Sequence, residues 1–154
     1  MSISTEAFSS HTAWICLAAG VMFAAGAVVD VAILWGFQRV PDNAAWEFTA
    51  LATTVEGLPR VALGCALVAV GLWLSGSTSL IAYRGLGLFV LMTGFAGAAA
   101  AALVVTDWFV IRGDVPAQQA GIFQGIVAKS IALGGIYILL FIPAGVLSMR
   151  RPRR

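Results

Sequence analysis

Long apolar stretches alternate with short polar segments along the whole chain. Each stretch reaches the roughly 20 residues that an α-helix needs to cross the hydrocarbon core of a bilayer. The predicted spans cover approximately residues 13–36, 59–83, 85–111 and 117–149. The pattern predicts an all-α integral membrane protein whose residues 1–154 form a single domain, a four-transmembrane-helix bundle.

The segment between Pro41 and Pro59 is too polar to span, yet its apolar side chains recur at helical spacing. Those side chains belong to Trp46, Phe48, Leu51 and Val55. Asp42 or Asn43 can cap the start of a helix there. The pattern predicts a short interfacial helix between the first and second spans, which we interpret as a connector in preference to a gating lid.

The third span is dense in small residues, among them Ala96, Gly97 and Ala100. Small residues let helix backbones approach closely in a membrane, so this helix is predicted to be central and to contact at least two others. It follows the second span after a tight turn at residues 83–85. Pro143 is predicted to bend the fourth span, because proline removes a backbone hydrogen bond.

The composition agrees with a polytopic membrane protein. Of the 154 residues, 60% are hydrophobic and only 10% are charged, and the mean hydropathy is +0.96. A net charge of +2 gives no basic surface for nucleic acid. The residues before the first span include Glu6 and no lysine or arginine, so we interpret them as a retained N-terminus and not as a signal peptide.

An even number of spans places both termini on one side of the membrane. That side has Arg84 and a tail containing Arg150, Arg151, Arg153 and Arg154, whereas the other side has Arg39, Arg60 and Arg112. The excess of basic residues predicts that both termini are cytoplasmic, in a plasma (inner) membrane.

Ionisable side chains within the spans form the candidate polar site: Asp30, Asp107 and Lys129. With this topology all of them lie in the outer leaflet, where an unpaired charge is costly. Lys129 is expected to pair with Asp30, since Gly125 and Gly26 leave room one turn before each. Asp107 is equally well explained as a carboxylate at the headgroups or beside an arginine.

The Asp30–Lys129 pair has a structural and a functional interpretation. An ion pair that fixes helix register is slightly favoured over a site coupled to a proton or a substrate, because its charge is neutralised within the chain.

Catalytic chemistry has little basis in the sequence. The single histidine, His11, precedes the first span, and neither a Cys-x-x-Cys pair nor a phosphate-binding loop is present. We expect no enzyme activity, no cofactor and no metal. Expected partners are the lipid bilayer and either further copies of the chain or a larger membrane complex.

The sequence favours an accessory or scaffold subunit of a membrane complex. The alternative is a proton-coupled small-solute transporter or channel that works as a homo-oligomer, in which Asp30 or Lys129 changes protonation. A third interpretation, lipid sensing by the arginine tail, is less favoured than control of topology by that tail.

Overall fold

The computed structural model describes residues 3–40, 43–77 and 79–149, with side chains of the first helix from Ser10 onward. The arginine tail, Pro41 and Asp42 lie outside the described residues. The helices are α1 (Ile3–Gly36), α2 (Ala44–Leu74), α3 (Leu80–Ile111) and α4 (Ala117–Ile136), followed by a π-helical turn (Tyr137–Phe141) and α5 (Ile142–Met149).

The stretches long and apolar enough to cross a membrane are Ser10–Gly36, Ala44–Leu74, Leu80–Ile111 and Ala117–Met149. The predicted all-α architecture with four apolar spans is therefore confirmed. The end of the molecule with the α1–α2 and α3–α4 connections is called the loop end below, and the opposite end is called the terminal end.

The predicted interfacial helix is not separate from the second span. The side chain of Asn43 accepts a hydrogen bond from the backbone N–H of Trp46 at 2.9 Å, and α2 then continues from Ala44 through Pro59 to Leu74. Phe48, Ala52 and Val55 are buried in a cluster with residues of α3 and the fourth span, whereas Val61 and Cys65 are buried in a second cluster with Ala27 of α1. The polar segment is the N-terminal part of a long helix.

The connection between α2 and α3 lies earlier than predicted. Helix α2 ends at Leu74, and Gly76 adopts a left-handed φ of 70° that favours glycine. The side chain of Ser79 then caps α3 by accepting from the N–H of Ala82 at 3.4 Å. Residues 83–85, predicted as the turn, belong to the first turns of α3, because serine and glycine at 75–79 provide the stop and start signals.

Helices α1 and α2 pack along a seam of small residues. Ala13, Gly20 and Ala27 are buried at seven-residue intervals on α1. A Cβ atom on Gly64 of α2 would lie 2.6 Å from the backbone nitrogen of Ala24, so the two backbones are in direct contact. This close approach is the packing that small residues permit in membranes.

Helix α3 packs on both α2 and the fourth span, as predicted, and α2 also contacts the fourth span directly. Gly97 and Ala100 are buried, whereas Ala96 is exposed, so the predicted contact through Ala96 is wrong. One step along the helix rotates a side chain by about 100°, which separates the face of Ala96 from that of Gly97. Gly97 faces the ring of Tyr137. A Cβ atom added at Gly97 would lie 2.6 Å from a carbon of that ring.

The fourth span changes its helical geometry just before Pro143. In the π-helical turn the N–H of Ile142 bonds to the carbonyl oxygen of Tyr137, five residues earlier. Proline has no N–H to continue the normal ladder and crowds the preceding turn, and a widened turn accommodates both effects.

Candidate functional site: paired charges around the second helix

Helix α2 presents two charged residues one helical turn apart, and each pairs with a different neighbouring helix. Glu56 accepts a contact from Lys129 of α4, with 2.9 Å between Oε1 and Nζ. Arg60 lies beside Asp30 of α1, with 3.6 Å between Nη1 and Oδ2. Helix α2 therefore joins α1 and α4 through two separate acid–base pairs.

The predicted pair between Asp30 and Lys129 is wrong. Helix α1 makes its extensive contacts with α2, whereas α4 contacts α2 and α3. Because α2 stands between them, Asp30 reaches Arg60 and Lys129 reaches Glu56. Lys129 and Asp30 both have acid–base partners, as their placement in spans requires, but neither is the other's partner.

Asp107 is separate from this arrangement. Its side chain is half-buried near the end of α3, and its electrostatic neighbour there is Glu47 of α2. Among the residues that the structure describes, Asp107 forms no ion pair. The guanidinium of Arg112 instead lies over the ring of Phe109, with 5.2 Å between its central carbon and the ring centroid.

A polar cavity of about 340 Å³ lies between α1 and α2 near the loop end. Its charged lining consists of Asp30, Glu56 and Arg60, and Gln38 and Thr53 add an amide and a hydroxyl. Apolar residues complete the wall: Ala27, Val31, Ile33 and Leu34. All lining residues come from these two helices and the residues directly after α1.

Tryptophan side chains lie beside the cavity at the loop end. The indole N–H of Trp35 donates to the hydroxyl of Thr54 at 3.0 Å, and the ring of Trp35 meets that of Trp46 edge-on with centroids 5.5 Å apart. Tryptophan is enriched at membrane–water interfaces. Asp30 lies five residues before Trp35, which is about 7.5 Å farther from the loop end at the rise of an α-helix.

A buried hydrogen bond lies next to the charged pairs. The hydroxyl of Tyr137 donates to the backbone carbonyl oxygen of Val55, and the tyrosine is fully buried. In a regular helix that carbonyl would accept from the N–H of residue 59, which is proline and has none. Tyr137 thus provides the missing donor for the carbonyl oxygen of Val55, the residue before Glu56. The bond therefore stabilises the part of α2 that carries Glu56 and Arg60.

Sequence reasoning missed Glu56 and Arg60 as site residues. The predicted boundary at Pro59 places Glu56 in a surface connector and Arg60 at the start of the second span, where it counts only as a basic residue of the loops. The available signal was their spacing, since an acid and a base four residues apart lie on neighbouring positions of one helix. Within the described part of the chain, no group of three or more metal-ligating side chains comes together.

A second cavity, of about 310 Å³, is almost entirely apolar. It lies between α2, α3 and α5 and includes Cys65, Val90 and Ala144 in its lining. Its composition contrasts with that of the α1–α2 cavity, which is the only one of the two with charged walls.

Comparisons with protein-family models, curated proteins and solved structures found no match to this chain.

Proposed function

We propose that this chain is a non-catalytic accessory or scaffold subunit that packs against a helix of a larger membrane complex. The observation that supports it best is an unpartnered stripe of small residues on α4. The stripe consists of Ala117, Gly121, Gly125, Ala128, Ala132 and Gly135. At about 100° per residue these positions fall on one face of the helix.

The stripe differs from the other small-residue surfaces of the molecule. A Cβ atom on Gly64 or Gly97 would meet a neighbouring helix at 2.6 Å, whereas one on Gly121 or Gly125 would meet nothing within 4 Å. Helices in membranes associate where small residues let their backbones approach, since lipid offers no hydrophobic driving force. A face with this composition and no helix on it supports an intermolecular contact.

The experiment is purification in mild detergent at native expression level, with the partner identified and then tagged for the reverse purification. Gly125→Leu should abolish the association in both directions by preventing close approach. Gly26→Leu is the matched control, because Gly26 on α1 also faces open space. Equal association of both variants would refute the proposal, and recovery of only further copies of this chain would replace the hetero-complex by a homo-oligomer.

A proton-coupled transporter or channel is the second candidate, and the α1–α2 cavity favours it because two carboxylates line that cavity. The seam on its terminal side argues against a path, since Gly20 and Gly64 bring the two backbones into contact there. Proton flux into proteoliposomes decides between the candidates. Flux that is lost in Asp30→Asn would establish transport, and no flux above that of empty liposomes would eliminate it.

We also propose that both termini are cytoplasmic in the plasma (inner) membrane. The basic tail and Arg84 support this orientation, and Arg60 counts little on the opposite side because it lies sixteen positions into α2 and pairs with Asp30. A reporter fused after Arg154 should be active if it requires the cytoplasm. Activity only of a periplasmic reporter at that position would reverse the topology.

A further inference from the structure

The fourth span separates from α2 toward the terminal end of the molecule. Helix α3 packs on both α2 and α5, whereas α2 contacts the fourth span mainly through α4 and Tyr137. The space left between α2 and α5 is the apolar cavity of about 310 Å³, which is called the terminal groove below. We propose that the terminal groove binds one acyl chain of an anionic phospholipid, whose phosphate is held by Arg84. This inference does not depend on the accessory role.

Small side chains keep the terminal groove open. Ala66 of α2 and Ala144 of α5 line it from either side and are exposed, and Gly87 of α3 lies between them. An unfilled space along these helices forfeits van der Waals contacts, so hydrocarbon fills it in a membrane. The volume is about twice the roughly 150 Å³ of an apolar cavity that holds one benzene ring, which corresponds to a chain of about a dozen carbon atoms.

The dimensions of the terminal groove favour a single hydrocarbon chain over a helix of another protein. Along α2 its lining extends from Ala62 to Ala69, which is about 10.5 Å at the rise of an α-helix. Over that length the volume gives a mean cross-section of about 30 Å². A helix is 10–12 Å wide with its side chains and needs about 80–110 Å², so it does not fit between the walls.

Polar groups line the terminal groove at its terminal end. Tyr83 and Ser148 contribute hydroxyls there, whereas Val90 and Leu140 are apolar lining residues farther from that end. Tyr83 is the fourth residue of α3, and Trp73 is next to last in α2. Aromatic side chains of these types are enriched at membrane–water interfaces. The groove therefore runs from headgroup level into the hydrocarbon, as a phospholipid does.

Arg84 supplies a positive charge at this level. It is the fifth residue of α3, whose 32 residues are about 18 Å longer than a roughly 30 Å hydrocarbon core, so the first turns of the helix reach the headgroups. Arg84 is exposed and forms no ion pair with any residue that the structure describes. The sequence has no acidic residue between Glu56 and Asp107, which both lie toward the loop end. A guanidinium without a carboxylate beside it favours a phosphate and gives no partner to an ammonium, so an anionic lipid is preferred.

Native mass spectrometry of the full chain in a nonionic detergent tests the proposal with equimolar phosphatidylglycerol and phosphatidylcholine of the same chain length. One phosphatidylglycerol per chain should be retained about tenfold more tightly, because phosphatidylcholine brings a second cation toward Arg84. Arg84→Gln should remove this preference, whereas Arg112→Gln, at an exposed arginine of the loop end, should keep it. Equal retention of the two lipids by the unchanged protein, or an unchanged preference in Arg84→Gln, would overturn the proposal.

Filling the terminal groove distinguishes it from lipid adhesion elsewhere on the protein. The double change Ala66→Leu with Ala144→Leu should abolish retention of phosphatidylglycerol while keeping the helical circular dichroism, because both alanines are exposed. Ala96→Leu is the matched control, since Ala96 is exposed on α3 outside the groove. Retention by the folded double variant would overturn the assignment to the groove. Displacement of the lipid by an equal concentration of free glycerol phosphate would assign binding to the headgroup alone and also overturn it.

Discussion

The hydroxyl of Tyr137 hydrogen-bonds to the carbonyl oxygen of Val55, at the position that the missing N–H of Pro59 leaves open. Through this contact the fourth span compensates for a proline in the second. The bond lies next to Glu56 and about one and a half turns from Arg60 along α2, so the packing of the two helices and the placement of the charged pairs are linked.

Replacing Tyr137 by Phe should destabilise the protein by about 1–2 kcal/mol, because the buried carbonyl of Val55 loses its donor. In a Pro59→Ala background the backbone N–H is restored, and the same replacement should then have little effect. Unfolding in mixed micelles, measured for the two single variants and the double variant, gives this coupling. Equal losses in both backgrounds would show that the hydroxyl and the proline are unrelated.

The α1–α2 seam should not tolerate a larger side chain. We expect Gly64→Val to lower stability by about 1–3 kcal/mol, because its side chain would meet the backbone of α1. Gly26→Val is the matched control, since a Cβ there meets no atom within 4 Å. Thermal unfolding in detergent distinguishes them, and equal melting temperatures would mean that the helices do not touch at Gly64.

Gly97 and Ala96 are adjacent in sequence but should respond differently to leucine. Gly97→Leu should destabilise the protein by about 1–3 kcal/mol, because the buried ring of Tyr137 occupies the space and its hydroxyl is held by a hydrogen bond. Ala96→Leu should change stability little, because Ala96 is exposed. A reversed order of the two melting temperatures would place the opposite face of α3 at the interface.

Removing both charges of the Glu56–Lys129 pair should be less harmful than removing one. Lys129→Met leaves the carboxylate of Glu56 without its partner, whereas adding Glu56→Gln removes that charge too. Because both side chains are about half exposed, the coupling should be modest, about 0.5–1 kcal/mol. Asp30→Asn should instead show no coupling to Lys129→Met in the same unfolding assay.

The fold was largely predictable because bilayer thickness fixes the length of an apolar span. The hydrophobic pattern did not reveal that α2 continues through Pro59, since proline normally marks a helix boundary and its compensation by Tyr137 depends on a residue 78 positions later. The same misassignment hid the acid–base partners. The positions of Asp30 and Lys129 within their spans predict a similar depth for the two charges. Which partner each one has depends on the order in which the helices pack, and α2 places Arg60 beside Asp30 and Glu56 beside Lys129.

Cysteine crosslinking is the most direct test of the claim that α2 separates the two charges and pairs with each. In a chain with Cys16→Ala and Cys65→Ala, the pair Glu56→Cys with Lys129→Cys should join readily with a short bifunctional reagent in membranes. The pair Asp30→Cys with Lys129→Cys should remain unjoined, because α1 packs along α2 and not along α4. Two results would contradict this arrangement of helices, on which the site depends. Positions 30 and 129 could crosslink as fast as positions 56 and 129, or positions 56 and 129 could fail to crosslink.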